Sequence, residues 1–352
     1  MAQAKGRYVS PNPRVGAVLV KNGKIVGEGA HRQYGGPHAE IAALKEAGSR
    51  AKGAILYVTL EPCSHYGKTP PCAKAVSEAG VVKVVAAMKD PFPLVAGGGF
   101  ALLKKAGIKV QTGVLETEAK KMNESFVFSV VRQRPKVILK AAITLDGKIA
   151  TAAGKSKWIT GSLALKKAHQ MRSTVDAVLV GSGTALIDNP SLTVRLAGYG
   201  REDGWPLRVL LDSQLRVKPT AKLFQGSPKT LVFTSPKASL VRERALRQRG
   251  AQVFRVPLKG KMLSLEAVLK TLYTLPVRSL LVEGGAEVHA SFLKEKLADE
   301  LALFIAPKIF GGHSVGWVGG AGVLNPGQAW QAKLINIEKL DGDFLITARL
   351  KE

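Results

Sequence analysis

The first part of the chain alternates short apolar runs with amphipathic stretches. Two β-rich runs, 15–20 and 24–28, flank Asn22-Gly23, a dipeptide typical of a tight hairpin turn. Further β-rich runs lie at 54–60, 81–88 and 108–112. Helical patterns separate them, and the first begins at His38. This alternation predicts a sheet with crossover helices on its faces.

A second pattern of the same kind starts after the polar interruption 132–135, which follows a charged stretch, 116–131, that predicts one helix. Its β-rich runs are 137–139, 177–180, 207–211, 230–233, 253–256, 280–282 and 301–305. Helical patterns lie between them at 162–172, 240–249, 264–275 and 286–297. We therefore expect two α/β domains, 1–134 and 135–352, because 352 residues exceed the usual size of one hydrophobic core.

Composition and charge narrow the function classes. No run of about 18 apolar residues suggests a membrane span, and the polar start of the chain does not resemble a signal peptide. Two cysteines give no disulfide framework, so we expect a cytoplasmic protein. The net charge of +26 is spread along the chain without a cluster. An even distribution is typical of a basic surface that attracts phosphorylated small molecules. A nucleic-acid-binding protein more often has its basic residues clustered in one patch.

Candidate chemistry is concentrated around both cysteines. His38, Cys63 and Cys72 are the ligand types of a zinc site that keeps its fourth position open for water. Glu40, two residues after the histidine, can reach the open side and move a proton from attacking water to a departing amine. Prolines before His38 and Cys72 predict that each ligand stands at the start of a helix. The alternative is a closed structural site with His65 as the fourth ligand.

Two glycine-rich turns in the second half are candidate phosphate-binding loops. The segment 181–184 follows a β-rich run, and the segment 283–286 lies between such a run and a helical pattern. Exposed backbone N–H groups in turns of this kind bind anions. Neither segment matches a complete dinucleotide motif, so tight turns without a ligand are an equal alternative.

With these residues in hand, the chain resembles the bifunctional deaminase/reductases of riboflavin biosynthesis. In the first domain the resemblance rests on PNPRVGAV at 11–18, GPHAE at 36–40 and TLEPCSHYGKTPPC at 59–72. In the second it rests on LDGK at 145–148, SKWIT at 156–160, DNPSLTVR at 188–195 and VEGG at 282–285. The wide separation of the two cysteines is specific to this family, since most zinc nucleobase deaminases place two residues between them.

The resemblance implies a cytidine-deaminase-like α/β/α domain followed by an α/β domain similar to dihydrofolate reductase. It implies zinc in the first and NADPH in the second. The first reaction would be hydrolytic loss of the 2-amino group from a phosphorylated diaminopyrimidine nucleotide. The second would reduce the ribosyl side chain to ribityl. We also expect a homo-oligomer, with neither nucleic acid nor a membrane as a partner.

Site residues follow by the same resemblance. The proposed catalytic residues are Glu40 in the first domain and Lys140, Asp188 and Glu283 in the second. Substrate contacts would come from Asn12, Ala39, His65, Lys68, Ser156, Arg172, Leu192, Arg195 and Glu283, with the phosphate near Lys68 in the first site and near the arginines in the second. Cofactor contacts would come from Ala142, Trp158, Thr184, Asp188, Ser213 and Gly285. Plainer alternatives are a solvated Lys68, a helix-surface Arg172 and a core Trp158.

The chain departs from the family pattern in two places. The family usually has a further helix before the Pro-Asn-Pro segment, whereas ten residues precede Pro11 here. Phe92 stands where asparagine is common, so we expect the hydrogen bond of that side chain to be lost. Two other functions stay as alternatives: a transfer-RNA base deaminase with a fused accessory domain, and a zinc module without catalysis.

Overall fold

The computed structural model describes residues 9–66, 70–92, 96–196 and 206–351. The chain divides into two compact units, 1–134 and 135–352. Among the described residues, no helix combines the length and apolar character that crossing a membrane requires.

The first unit is built on a five-stranded sheet in the order β2-β1-β3-β4-β5. The strands are β1 Gly16–Lys21, β2 Lys24–Ala30, β3 Ile55–Val58, β4 Lys83–Ala86 and β5 Lys109–Thr112. β1 runs antiparallel to β2 and β3, and β3, β4 and β5 are parallel. The predicted hairpin turn is confirmed, because Asn22 and Gly23 both have positive φ, 50° and 74°, as its type requires.

Helices pack on this sheet over an apolar core. They are α1 Ala39–Ala47, α2 Cys72–Glu78, α3 Gly98–Lys105, α4 Glu116–Met122 and α5 Glu124–Arg132. The prediction of one helix over 116–131 is wrong, because the chain leaves helical geometry at Asn123. The Asn123 amide instead accepts from the Arg14 N–H at 2.8 Å and donates to the Arg14 carbonyl at 3.0 Å. These two hydrogen bonds join Arg14, which precedes β1, to the interruption between α4 and α5.

The second unit is built on a nine-stranded sheet in the order β11-β10-β9-β8-β14-β6-β15-β18-β17. Its strands are β6 Lys136–Thr144, β8 Ala177–Gly181, β9 Leu207–Leu211, β10 Thr230–Thr234, β11 Gln252–Arg255, β14 Ser279–Val282, β15 Glu300–Ala306, β17 Ala332–Leu340 and β18 Asp343–Leu350. The unit also contains two separate two-stranded antiparallel sheets: β7 Lys148–Ala150 with β16 Val315–Gly316, and β12 Leu258–Lys259 with β13 Met262–Leu263. All neighbours from β11 to β15 are parallel, so the carboxyl ends of those strands share one edge.

Helices cover both faces of this sheet. They are α6 Ser162–Arg172, α7 Ser182–Asp188, α8 Leu240–Gln248, α9 Leu265–Thr274 and α10 Ala286–Lys294. Their apolar sides meet the continuous β-rich runs in separate clusters, one containing Phe233 and Phe292 and another containing Leu210 and Leu223. Side chains on both faces of the central strands are buried, as expected of a parallel sheet between helices.

Candidate active sites

Three metal-ligand side chains converge in the first unit. His38 immediately precedes α1, Cys72 opens α2, and Cys63 lies between β3 and α2. The Nδ1 atom of His38 is 3.2 Å from Cys72 Sγ and 3.6 Å from Cys63 Sγ. Zinc ligands at about 2.0 to 2.3 Å from the ion lie roughly 3.3 to 3.8 Å apart in a tetrahedron. One imidazole and two thiols at these separations fit zinc.

The electrostatics of the two thiols favour metal binding. The hydrogen bond from Cys72 and the contact with His38 lower the pKa of the Cys63 thiol to about 4, and the same thiol contact raises that of Cys72. The Cys72 backbone N–H also donates to Cys63 Sγ at 3.2 Å. The pair therefore holds one thiolate before any metal is bound, and a cation favours the second.

Glu40 lies beside these ligands without joining them. Among the described residues, the group that could hold a metal contains His38, Cys63 and Cys72 and leaves Glu40 out. The Glu40 side chain is buried in the first turn of α1 and contacts the Cys72 thiol. Burial raises the pKa of its carboxyl group to about 7. His65 is exposed and is also outside the ligand group, so the closed four-ligand site gains no support.

A cluster of three ionisable side chains lies at the carboxyl edge of the second sheet. Val282 pairs with Leu139, which places Glu283 beside Lys140 on the neighbouring strand. The Lys140 Nζ atom is 3.9 Å from Glu283 Oε2. Arg172, the last residue of α6, donates from Nε to Glu283 Oε1 at 2.5 Å and from Nη2 to Oε2 at 2.7 Å.

The charges of this cluster balance only in part. Burial alone would raise the pKa of Glu283, but Arg172 and Lys140 outweigh it and hold that pKa at about 2. Burial lowers the pKa of Lys140, against the opposite effect of Glu283. Glu283 is thus a fixed carboxylate between two cations. The interpretation of Arg172 as plain helix surface is wrong, because its side chain is 13% exposed.

A cavity of about 540 Å³ opens at the same sheet edge. Of the residues predicted at the second site, it is lined by Ser156, Thr184, Asp188, Ser213 and Gly285. The Ser156 hydroxyl donates to Asp188 Oδ1 at 2.9 Å. Both glycine-rich turns contribute to the wall. A Cβ on Gly284 would lie 2.9 Å from the Gly181 nitrogen, so these turns also pack closely against each other.

Family models match both units of the chain. Residues 135–346 match the RibD C-terminal domain, and residues 1–88 match the cytidine and deoxycytidylate deaminase zinc-binding region. The riboflavin biosynthesis protein RibD of Aquifex aeolicus is 44% identical over 98% of this chain and 94% of its own length. That of Escherichia coli is 38% identical over 97% of this chain and 95% of its own.

This chain belongs to the RibD family.

Solved structures place the fold in the same family. A RibD structure from Acinetobacter baumannii superposes with a TM-score of 0.91 at 37% identity, covering 99% of this chain and 96% of the other. The Thermotoga maritima deaminase/reductase gives a TM-score of 0.85 at 40% identity, over 99% and 96%. The predicted fold class, a cytidine-deaminase-like unit followed by a reductase unit, is confirmed. The chain is a bifunctional deaminase and reductase of riboflavin biosynthesis.

His31 fixes the orientation of the Asn12 amide in the first unit, and no motif in the sequence indicates this role. Its buried Nδ1 lies 3.0 Å from the Pro37 carbonyl, which can only accept, so Nδ1 carries the hydrogen. Nε2 is then an acceptor for the Asn12 amide nitrogen at 3.2 Å. Burial lowers the pKa of His31, which keeps the ring neutral. The ring therefore fixes which end of the Asn12 amide is the oxygen.

Glu61 has a structural role that the motif alone did not reveal. Its buried carboxylate accepts backbone N–H groups of Asp90 at 3.2 Å, Gly97 at 2.9 Å and Phe100 at 3.1 Å, at the start of α3. A Cβ on Gly99 would lie 1.8 Å from the Pro62 carbonyl oxygen. Helix α3 therefore packs so closely against the residue before Cys63 that a side chain at position 99 does not fit. Phe92 keeps a backbone hydrogen bond, from its N–H to Asp90 Oδ1 at 2.8 Å.

Arg195 and His169 form a further contact of the second unit. The Arg195 backbone N–H donates to His169 Nδ1 at 3.2 Å, while the arginine side chain is exposed and reaches Ser191 Oγ at 3.3 Å. Burial, together with the charges of Arg172 and Arg195, lowers the pKa of His169 to about 4. The imidazole is therefore neutral at physiological pH.

Other predicted site residues do not line the cavity. Trp158 is 76% exposed with a positive φ of 65°, so its interpretation as a core aromatic is wrong. Leu192 and Ala39 are buried, and Ala142 is half-buried on β6. Lys68 lies outside the described residues.

Proposed function

We propose that unit 1–134 releases ammonia from a phosphorylated diaminopyrimidine nucleotide and that unit 135–352 then reduces the ribosyl side chain with NADPH. The Thermotoga maritima relative is titled a diaminohydroxyphosphoribosylaminopyrimidine deaminase and 5-amino-6-(5-phosphoribosylamino)uracil reductase. The observation that carries the proposal is the ligand group of His38, Cys63 and Cys72 with the buried Glu40 carboxyl beside it.

His38, Cys63 and Cys72 would hold the zinc ion, which when bound supplies a Lewis acid that lets water lose a proton at neutral pH. Glu40 accepts that proton at a carboxylate oxygen, and water oxygen bonds to ring carbon 2. Glu40 then returns a proton to the amino nitrogen, the carbon–nitrogen bond breaks, and ammonia leaves. Its burial next to the Cys72 thiol keeps Glu40 within reach of both positions.

Substrate orientation in the deaminase unit is assigned to Asn12, Ala39, His65 and Lys68. His31 holds the Asn12 amide nitrogen, which leaves the Asn12 oxygen to accept from a ring N–H or amino group. The Ala39 backbone begins α1 directly after the zinc ligand His38. His65 and Lys68 lie between the two cysteines in the sequence, and a lysine suits a phosphate as a point charge.

In the reductase unit, the cavity lined by Ser156, Thr184, Asp188, Ser213 and Gly285 would take NADPH, which supplies the hydride. Trp158 and Ala142 do not line this cavity, and they would contact a part of the cofactor that extends beyond it. The reaction forms a C–H bond at C1′, breaks the bond from C1′ to the ring oxygen and adds a proton to that oxygen. Lys140, whose Nζ is 3.9 Å from Glu283 Oε2, would donate this proton.

The carboxylates of the reductase site would orient the sugar. Glu283, held ionised by its cations, accepts a hydrogen bond from a sugar hydroxyl, and Asp188, held by Ser156, does the same at the cavity wall. Leu192 shapes the pocket through its backbone. The exposed Arg195 guanidinium binds the substrate phosphate. Arg172 adds positive charge there; Glu283 accepts from its Nε and Nη2 and the Thr193 carbonyl accepts from its Nη1, so a direct phosphate contact would use the remaining N–H groups of Nη1 and Nη2.

A two-stage assay on the full chain tests this function. Purified protein with measured zinc content is given the diaminopyrimidine nucleotide, and released ammonia is quantified; NADPH is then added and its oxidation followed. We expect one ammonia and one NADPH per nucleotide, in that order. Zinc-loaded protein that releases no ammonia would refute the proposal. Sedimentation of the same preparation tests the expected self-association. We also propose a cytoplasmic location, because the thiols of the metal site must stay reduced.

A further inference from the structure

Lys140 and Glu283 do not line the cavity of the second unit, which extends along the same sheet edge as far as the loop after β9. Its wall includes Ser213 and Arg216, in the loop that follows β9, and Lys261, in the turn between β12 and β13. In the strand order β9-β8-β14-β6, the loop after β9 is three strands from Lys140. At about 4.8 Å per strand this is about 14 Å, the span of an extended dinucleotide. A cofactor whose nicotinamide lies near Lys140 and Glu283 thus places its adenosine half at this loop.

The loop after β9 presents Arg216 in a defined position. Leu215 adopts a left-handed conformation, φ 53°, with its side chain buried. Its N–H donates to the Asp212 carbonyl at 3.2 Å, and the Val217 N–H donates to Asp212 Oδ2 at 2.8 Å. Arg216 itself is exposed, and its Nη2 donates to Ser182 Oγ at 2.8 Å. The guanidinium therefore lies between the β9 loop and the glycine-rich turn after β8.

The acidic residue that follows β9 does not line the cavity. Asp212 is 1% exposed, is bonded to Val217, and does not line the wall. In dinucleotide sites, a carboxylate at the adenosine ribose accepts from a 2′-hydroxyl, whereas an arginine accommodates a 2′-phosphate. The two acids of the wall, Asp188 and Glu287, lie elsewhere, on α7 and α10.

We propose that Arg216 is the residue that selects NADPH over NADH, by binding the 2′-phosphate of the adenosine ribose. Ser213 donates its hydroxyl to the same phosphate, and Lys261, in the turn between β12 and β13, adds a second positive charge on the cavity wall. This inference rests on the proposed function, in which the cavity takes the cofactor. A guanidinium matches a phosphate dianion with two parallel N–H donors.

Direct binding to the full chain tests the assignment without turnover. Titration calorimetry measures NADP⁺, NAD⁺ and adenosine 2′,5′-bisphosphate on wild type, Arg216→Ala, Arg216→Lys and Arg244→Ala. Arg244 is the matched control, an exposed arginine on α8 away from the cavity wall. Loss of a charge-assisted pair predicts about 10- to 100-fold weaker NADP⁺ and bisphosphate binding in Arg216→Ala. NAD⁺ binding should change by less than about threefold, and Arg216→Lys should recover part of the loss.

Each outcome separates this inference from the cofactor assignment. If wild type prefers NADP⁺ and Arg216→Ala keeps that preference, the inference is overturned while the cofactor site stands. Equal losses in Arg216→Ala and Arg244→Ala would also overturn it, because long-range charge would then account for the effect. Wild type that binds neither dinucleotide would overturn the cofactor assignment and the inference together.

Discussion

Arg172 and Glu283, 111 residues apart in the chain, form a largely buried bidentate ion pair with donor–acceptor distances of 2.5 and 2.7 Å. The pair joins the last residue of α6 to the residue that follows β14. Lys140 lies 3.9 Å from the same carboxylate. One carboxylate is therefore the shared counter-charge of two largely buried cations at the edge where the reduction is proposed, and it balances them only in part.

Removing the negative charge of Glu283 should destabilise the second unit. In Glu283→Gln, Arg172 and Lys140 stay buried without a counter-charge, and the free energy of unfolding should fall by about 3 to 5 kcal/mol. Urea unfolding measures it. Glu338→Gln is the matched control, because the Glu338–Lys167 pair is about a third exposed and should change stability by less than about 1 kcal/mol. Equal effects of the two substitutions would contradict this account.

The pH dependence of stability should report the neutral His169. Its folded pKa of about 4 lies below the ordinary 6.5, so the unfolded chain binds more protons between these values. The stability contributed by the neutral ring is present above pH 6.5 and is lost as the pH falls towards 4. Between pH 7 and pH 5 this amounts to about 2 kcal/mol. His169→Asn keeps an acceptor for Arg195 but cannot titrate, so its unfolding energy should lose about that much less over the same interval.

Gly99 should be intolerant of a side chain. In Gly99→Ala the new Cβ meets the Pro62 carbonyl, which displaces α3 or the segment of Pro62 and Cys63. The free energy of unfolding should fall by about 2 kcal/mol or more, and the zinc content should be reduced. Gly98→Ala is the matched control, since its Cβ meets only the rotatable Ser64 side chain and alanine favours the helix. Zinc analysis and thermal unfolding compare the two. Full zinc occupancy and wild-type stability in Gly99→Ala would show that the contact does not position Cys63.

His31→Phe should weaken substrate binding by the deaminase unit. Phenylalanine retains the ring but cannot accept from Asn12, so the amide loses its fixed orientation. A lost hydrogen bond predicts about tenfold higher KM for ammonia release, with zinc content and NADPH oxidation unchanged. An unchanged KM would refute the positioning role of His31.

Local chemistry made much of the fold predictable. The Asn22-Gly23 turn, the helix at Ser162–Arg172 and the buried parallel strands all follow from short-range patterns. The ribbon of β17 and β18 did not, because most of β17 is exposed and shows no buried face. Asp341-Gly342, the turn between these strands, was the available signal. The break at Asn123 depends on Arg14, 109 residues away, which no local pattern reports.

The site residues also fall into two groups: those that the local sequence indicates and those that depend on contacts between distant residues. Spacing and residue type were enough to suggest the zinc ligands and Glu40, because their chemistry is unusual. His31 and Glu61 act through buried hydrogen bonds whose partners are backbone groups or Asn12, and such partners become visible only in three dimensions. Likewise, the sequence could not tie one arginine to the cofactor, whereas the strand order places Arg216 on the cavity wall.

The most direct test of the account is Glu40→Gln in the two-stage assay. With zinc retained, ammonia release should fall by about 10²- to 10⁴-fold, because proton transfer is lost while metal binding is kept. NADPH oxidation on the already deaminated nucleotide should stay within about twofold of wild type. Ammonia release that survives the substitution, or the loss of both activities in a folded and zinc-loaded protein, would contradict the central claim that Glu40 serves an independent deaminase centre.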